Sequence, residues 1–88
     1  MADYTVTFAR SAHKDLKGIP FEMAERIVAR IEKLAHQPRP SGSLKLKGEE
    51  KLWRIRIGDY RVIYEIDDTA KVVDITVIRH RKDVYRDF

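Results

Sequence analysis

The feature that most constrains the fold is an alternation of apolar and polar residues through the C-terminal part of the chain. It occurs in three successive segments, LWRIRIG, YRVIYEID and KVVDITVIR, which lie between residues 52 and 79. Gly58 and Asp59 separate the first two segments, and residues 68–71 separate the second from the third; both breaks are typical of turns. A period of two places successive side chains on opposite faces of a strand. The pattern therefore predicts three consecutive antiparallel strands with one apolar face.

The N-terminal part of the chain predicts a strand followed by two helices. Tyr4, Val6 and Phe8 alternate with threonines, as in a strand with one buried face. Ser11 is a candidate N-cap for a short helix that ends at Gly18. A second helix is indicated by apolar residues at intervals of three and four, namely Phe21, Ala24, Ile27, Val28, Ile31, Leu34 and Ala35. We therefore expect an α+β fold, β-α-α-β-β-β, in which two helices pack on one face of a largely antiparallel four-stranded sheet.

Length and composition exclude several classes of protein. A chain of 88 residues holds at most one domain, so we expect residues 1–88 to form a single unit. The absence of cysteine excludes disulfides and thiolate metal sites and is typical of the reducing cytoplasm. No apolar stretch approaches the roughly 20 residues of a membrane helix, and MADYTVTF does not have the pattern of a secretion signal. The three histidines lack the spacing of a metal site, and we expect no cofactor.

Three arginines are predicted to share the polar face of the sheet. A two-residue turn at Gly58 and Asp59 places Arg56 opposite Arg61, with Arg54 two residues away on the same face. Like charges directly opposed destabilise a sheet, so a function other than stability is indicated. Guanidinium groups on rigid strands suit the bidentate binding of phosphate oxygens. The alternative is a solvated face on which the arginines pair with carboxylates, namely Glu65, Asp67 or Asp74.

A basic segment, RHRKDVYR, follows the last predicted strand at residues 79–86. If the alternation continues across a turn of even length, the polar face of that strand carries Asp74, Thr76, Ile78 and His80. His80 would then lie near the arginine pair, and its alternative role is that of a surface or structurally hydrogen-bonded histidine. Tyr85 either anchors a short C-terminal helix or takes part in chemistry. The formal net charge of +4 is compatible with nucleic acid or an acidic protein as the partner.

The order of elements, the segment LKLKG, the hairpin RIRIGDYRVIYEI and the ending HRKDVY together resemble the RelE family of bacterial toxins. Members are small proteins encoded beside an antitoxin, and their typical activity is cleavage of messenger RNA in the ribosomal A site. The resemblance implies a microbial ribonuclease-like fold and a cytoplasmic protein that forms a hetero-oligomer with its cognate antitoxin. The ribosome with its messenger RNA would be the second partner, and no membrane is implied.

The resemblance also assigns roles to individual residues. Arg61 matches the arginine of the family's GxYR segment, which binds the scissile phosphate, and Tyr85 matches a C-terminal tyrosine thought to assist the reaction. A second basic catalytic position falls at His80 or Arg81, and the alternation favours His80. We therefore predict the catalytic residues Arg56, Arg61, His80 and Tyr85, and the substrate-binding residues Lys47, Arg54 and Arg81.

Two of these positions depart from the family pattern. Arg54 and Arg56 occupy basic positions that are lysines in the best-known member. A guanidinium stays protonated, so neither residue can act as a general base. Cleavage remains chemically possible because the RNA 2′-hydroxyl is itself the nucleophile, so the protein must orient the phosphate, stabilise its added charge and move protons. His80, with an ordinary pKa near 6.5, and Tyr85, near 10, are the candidate proton carriers.

Two other functions stay open at this point. One is a toxin of the same superfamily that poisons DNA gyrase, although the basic and aromatic ending HRKDVY argues against it. The other is a catalytically silent module that binds RNA or antitoxin through its arginines. Such a module would bind with an affinity that falls steeply with salt and would release no cleaved product.

Overall fold

The computed structural model describes residues 3–48 and 51–84, and within them the elements follow the predicted order with two additions. A two-residue strand precedes the predicted hairpin, and a short helix follows the last strand. The elements are β1 Thr5–Phe8, α1 Arg10–Lys17, α2 Phe21–Lys33, β2 Leu44–Lys45, β3 Leu52–Ile57, β4 Tyr60–Asp67, β5 Val72–His80 and α3 Arg81–Val84. No helix in the described ranges is long and apolar enough to cross a membrane.

The α+β class is confirmed, but the prediction of a four-stranded, largely antiparallel sheet is wrong. The sheet has five strands in the order β1-β5-β4-β3-β2, and its pairing is mixed. β1 and β5 are parallel neighbours, and the chain between them passes through both helices, returns to the sheet at β2 on the opposite edge and then runs back through β3 and β4. β2 adds the fifth strand by pairing Leu44 and Lys45 with Arg54 and Trp53. A two-residue strand is too short to show a period, which is why the sequence did not indicate it.

The hydrophobic core lies between the two long helices and one face of the sheet. α2 turns Ile27 and Ile31 towards the strands, and Leu34 continues this buried stripe into the turn that follows the helix. The rest of the predicted stripe is not part of the core, since Phe21 is 75% exposed and Ala24 and Val28 are half-buried. The core residues are each at most 3% exposed: Ala12, Ile27, Ile31 and Leu34 from the helical layer, and Ile55, Ile57, Val62, Tyr64, Ile66, Val73, Ile75 and Ile78 from the sheet. The alternation of β3 and β4 predicts an apolar face made of Trp53, Ile55, Ile57, Tyr60, Val62, Tyr64 and Ile66. Five of these are buried and Trp53 and Tyr60 are half-buried, which confirms that face; Ile63 on the opposite face is buried as well, at 6% exposure.

An irregularity in β5 reverses the faces of its C-terminal part. Ile63 of β4 pairs with Val77, whereas its neighbour Tyr64 pairs with Ile75, so Thr76 is an extra residue in the ladder. The Thr76 hydroxyl donates to the Ile63 carbonyl at 2.9 Å. Beyond this bulge Ile78 is buried at 2% exposure. The prediction that Ile78 and His80 lie on the polar face is therefore wrong, since one extra residue exchanges the two faces.

Helix α1 covers the edge of β5 beyond the end of β1. Its N-cap is Ala9, whose N–H donates to the Ile75 carbonyl at 2.8 Å. The predicted capping role of Ser11 is wrong, because its hydroxyl instead donates to the Thr76 carbonyl at 2.7 Å. One turn later Asp15 Oδ2 accepts a hydrogen bond from the Ile78 N–H at 3.1 Å. Ser11 and Asp15 thus form hydrogen bonds with backbone groups of β5 that lie beyond the end of β1 and have no partner on that strand.

Candidate functional site

The β3–β4 hairpin brings two of the predicted arginines directly opposite each other. Its register pairs Arg56 with Arg61 and Ile57 with Tyr60, as the two-residue turn predicts. Gly58 in that turn has φ +60°, a left-handed conformation that favours glycine, and an added Cβ would lie 3.3 Å from the Met23 methyl group of α2. The glycine turn thus allows the end of the hairpin to pack closely against Met23 of α2, which holds the adjacent Arg56 and Arg61 in place.

A third arginine, which was not among the predicted site residues, completes the row. Arg79 of β5 pairs with Arg61 of β4, which in turn pairs with Arg56 of β3. We call Arg56, Arg61 and Arg79 the arginine row. The Nε atoms of Arg61 and Arg79 are buried, so packing restrains these guanidiniums. The sequence feature that could have indicated Arg79 instead of His80 is the adjacent apolar pair Val77-Ile78, which interrupts the alternation in β5.

The start of helix α3 completes a concave site next to the row. The Arg81 N–H donates to the Asp59 carbonyl at 2.7 Å, which ties the first residue of α3 to the β3–β4 turn. A concavity of about 300 Å³ lies there, lined by Arg56, Arg61, Arg81 and Lys82. Its lining is entirely cationic, which is suited to phosphate oxygens. Two predicted catalytic arginines and one predicted RNA-binding arginine are thus brought together.

Two of the carboxylates that could have neutralised this face are engaged elsewhere. Asp74 Oδ1 accepts a hydrogen bond from the Thr7 hydroxyl at 2.7 Å. Asp67 Oδ1 accepts hydrogen bonds from the N–H groups of Thr69 and Ala70 at 3.0 and 2.9 Å. Both acids lie towards the β4–β5 turn, at the opposite end of the strands from Gly58. These two acids therefore do not neutralise the arginine row, and the carboxylate that does approach it is Asp15 of α1, 3.9 Å from Arg79 Nε at one end of the row. The arrangement favours an anion-binding face at Arg56 and Arg61 over a simple pattern of solvated ion pairs.

His80 lies apart from the cationic concavity, contrary to the prediction. It pairs with Tyr60, and the two rings meet edge to face with centroids 5.2 Å apart. Its Nδ1 accepts the Lys82 N–H at 3.2 Å. It also lines a second concavity on the helix side, together with residues of α1 and the turn that follows it. The bulge at Thr76 is the physical reason, since it gives Arg79 the strand position that pairs with Arg61 and gives His80 the position that pairs with Tyr60. The Arg79 side chain also lines the second concavity.

The remaining predicted residues fall in three different places. Arg54 is half-buried on β3, between Leu44 of β2 and Ile63 of β4. Lys47 is exposed just after β2, at the end of β3 remote from Arg56, so the structure does not bring it to the concavity. Tyr85 lies outside the described residues. Within residues 3–48 and 51–84, no group of three or more His, Cys, Asp or Glu side chains could hold a metal ion.

The chain matches a known family along almost its whole length. A family model described as the ParE toxin of the type II toxin–antitoxin system parDE matches residues 6–85. The chain belongs to this toxin family. The resemblance to RelE is confirmed at the level of the RelE/ParE superfamily, because curated relatives of this toxin carry RelE names.

Relatives of the toxin occur in bacteria and archaea. Toxin RelG of Mycobacterium tuberculosis is 32% identical over 84 residues, which cover 94% of this chain and 97% of that protein. Toxin RelE3 of Methanocaldococcus jannaschii is 33% identical over 88 residues, covering 91% and 93%. Among solved structures, the archaeal RelE–RelB complex of Pyrococcus horikoshii has a TM-score of 0.80 at 31% identity, covering 90% of this chain and 96% of that chain. The isolated E. coli RelE toxin shares the fold, with a TM-score of 0.78 at 20% identity over 97% of this chain and 99% of that one.

Proposed function

We propose that this toxin is a ribosome-dependent, metal-independent endoribonuclease that cuts messenger RNA and is neutralised by a cognate antitoxin. The observation that carries the proposal is the meeting of Arg56, Arg61, Arg81 and Lys82 around one concavity at the end of the β3–β4 hairpin. We further propose that residues 1–88 act as one toxin domain and that the protein works in the cytoplasm, where its substrate is.

The proposed reaction is attack of the RNA 2′-hydroxyl on the adjacent phosphorus, which forms a 2′,3′-cyclic phosphate and breaks the bond to the 5′-oxygen of the next nucleotide. The 2′-hydroxyl loses its proton and the leaving 5′-oxygen gains one, so the step is balanced without a metal or a protein nucleophile. Arg61 lies at the centre of the arginine row and is assigned to the scissile phosphate, while Arg56 and Arg79 flank it. Charge-assisted hydrogen bonds from these groups would hold the phosphate and would strengthen as the phosphorane gains negative charge. The protein supplies no nucleophile in this scheme, because the substrate carries its own.

Because the bulge places His80 away from the cationic concavity, the roles that the resemblance suggests for proton transfer have to be reassigned. Arg81 lines the cationic concavity and His80 does not, so we assign the second basic position to Arg81. An arginine stabilises charge but does not accept a proton. Tyr85 is therefore the proposed proton carrier on the basis of the resemblance, and this role requires cations that lower the pKa of its phenol. Its alternative role is stacking on an RNA base. Arg54 is assigned to the RNA backbone, and Lys47 only to RNA beyond the cleavage site.

The antitoxin partner is supported by the solved structures that the chain is similar to. These include complexes of RelE with RelB from Pyrococcus horikoshii and from Mycobacterium tuberculosis. The cationic concavity would accept an acidic segment of the antitoxin, which would form a hetero-oligomer with the toxin and exclude RNA. Neutralisation by competition for the same cations is the simplest mechanism that this arrangement allows.

The test is induction of the toxin alone, followed by mapping of RNA ends with and without active translation. Induction should arrest growth and produce new message ends only while ribosomes are translating. Arg61→Ala should relieve both effects, whereas Arg26→Ala removes an exposed arginine from α2 and should relieve neither. Retention of full toxicity by Arg61→Ala would reject this site, and new ends that appear without translation would reject ribosome dependence.

A gyrase poison of the same superfamily is the second candidate, because the family model that matches is named for the ParE toxin. That function predicts gyrase-dependent DNA breaks after induction and intact messages. Comparing DNA breaks with message ends in the same induced culture separates the two functions. A silent binding module would give neither product, although it would still bind RNA.

A further inference from the structure

The arginine row poses an electrostatic problem that the sheet alone does not solve. Arg56, Arg61 and Arg79 occupy paired positions on three neighbouring strands, and like charges at such positions repel. A flexible arginine would relieve the repulsion by turning into solvent. Buried Nε atoms in Arg61 and Arg79 show that two of the three side chains remain packed instead.

A carboxylate on helix α1 lies behind one end of the row. Asp15 Oδ2 is 3.9 Å from Arg79 Nε, and its side chain is 19% exposed compared with 37% for Arg79. The same oxygen accepts the Ile78 N–H at 3.1 Å, so a bond to the strand backbone holds the carboxylate in place. The negative charge is therefore rigidly placed at the edge of the sheet, immediately next to the last arginine.

We propose that Asp15 is a positioning residue, which holds the Arg79 guanidinium at the edge of β5, next to the strand position that pairs with Arg61, before the RNA arrives. At 3.9 Å the Nε–Oδ2 contact is longer than a hydrogen bond, so the carboxylate holds the guanidinium by the attraction of opposite charges in a partly buried place. The inference rests on the proposed function for its catalytic consequence. Ordering the arginines in advance removes a reorganisation step from the reaction, and this benefit appears in kcat more than in KM.

One substitution separates the charge of Asp15 from its backbone contact. Asp15→Asn keeps an oxygen that can accept the Ile78 N–H but loses the attraction for Arg79. Asp15→Glu keeps the charge on a longer side chain and should restore part of the function. Asp74→Asn is the matched control, since it makes the same change in a hydrogen-bonded carboxylate that lies on β5 itself, away from the row.

The first readout does not depend on any activity. In the folded protein the Arg79 Nε–H should give a resolved NMR signal with a nuclear Overhauser contact to the Asp15 β-protons. Asp15→Asn should shift and broaden that signal, and Asp74→Asn should leave it unchanged. Absence of the contact in the unsubstituted protein overturns the proposal, even if the Asn variant fails to fold.

The second readout is cleavage of a defined message on programmed ribosomes. Asp15→Asn should lower kcat at least tenfold with KM changed less than threefold, and Asp15→Glu should recover part of the loss. An unchanged kcat in Asp15→Asn overturns the proposal, whatever the NMR signal does. Failure of the unsubstituted protein to cleave rejects the proposed function instead, and the Nε signal alone then decides whether Asp15 positions Arg79.

Discussion

At the residue scale, the buried Tyr64 hydroxyl connects the sheet to the loop that follows α2. Tyr64 is fully buried, and its hydroxyl donates to the Pro38 carbonyl at 2.8 Å. Removal of one partner leaves a buried acceptor unsatisfied, which costs about 1–3 kcal/mol. We expect Tyr64→Phe to lower the free energy of unfolding in urea by about that amount. Tyr60→Phe removes the same group from a half-buried ring, where water can replace it, and an equal loss there would contradict this account.

Burial raises the pKa of Tyr64 to about 12. The neutral phenol is therefore favoured in the folded state, and its contribution to stability is complete below the ordinary tyrosine pKa near 10. That contribution is lost as the pH rises from about 10 through 12. Ultraviolet titration should show a phenolate step near pH 12 that Tyr64→Phe lacks. A protein whose tyrosines all ionise near pH 10 while it remains folded would contradict the assignment.

His80 and Arg81 are adjacent in the sequence but serve different faces of the molecule. Because Arg81 lines the cationic concavity, Arg81→Ala should lower message cleavage by about tenfold or more, the effect of losing one charge-assisted hydrogen bond. His80 packs against Tyr60 on the helix side, so His80→Gln should change cleavage by less than about threefold. Cleavage rates on programmed ribosomes measure both. A larger loss of cleavage in His80→Gln than in Arg81→Ala would contradict this assignment. It would show that His80 faces the arginines, as an uninterrupted alternation through Thr76 predicts.

At the element scale, an ion pair joins the loop after α2 to the β4–β5 turn. Arg39 Nη2 lies 2.8 Å from Asp68 Oδ2, and the Tyr4 hydroxyl donates to Oδ1 of the same carboxylate at 2.6 Å. The hydrogen bond from Arg39, followed by that from Tyr4, lowers the pKa of Asp68 to about 2. Arg39 also lies over the Trp53 ring, with its guanidinium carbon 5.2 Å from the centroid. We call the contacts of Arg39 and Asp68 with Tyr4 and Trp53 the clasp. It connects the residue before β1, the loop after α2, β3 and the β4–β5 turn.

The lowered pKa makes the clasp sensitive to acid. A group whose pKa is lowered on folding contributes stability above its ordinary value near 4, and that contribution is lost as the pH falls towards 2. Asp68→Asn should therefore lower the thermal midpoint at pH 6 but make little difference at pH 2. Asp3→Asn removes another exposed carboxylate near β1 and serves as the control. A constant difference between the Asp68 variant and the unsubstituted protein at both pH values would show that the ion pair is not the cause.

The sequence predicted elements better than it predicted how two of them meet. The helices and the β3–β4 register follow from periodicity and turn length, which are local properties. The parallel pairing of β1 depends on where the crossover returns, and the bulge depends on how Thr76 fits against Ile63. Neither is visible in a window of the sequence. The error at His80 follows directly, because a face assignment carried along a strand fails at the first extra residue.

At the scale of the whole molecule, the arrangement of charge matters more than its sum. The formal net charge of +4 is modest, yet four cations line one concavity at the end of the hairpin. Replacing any one arginine by alanine lowers the net charge by one unit, wherever that arginine lies. Only loss of a charge at the concavity should change the number of RNA phosphates that the protein neutralises.

Binding of a non-cleavable single-stranded RNA, measured across a range of salt concentrations, tests this distinction. Four neutralised phosphates predict a slope of log K against log salt of about −3, and Arg61→Ala should reduce its magnitude by about 0.7. Arg26→Ala lowers the net charge by the same single unit from the exposed surface of α2, and it should leave the slope unchanged. Equal changes in the two variants would mean that RNA responds to the overall field of the protein. A change confined to Arg61→Ala would locate the phosphate contacts at the concavity, because counterions are released only where phosphate and cation meet.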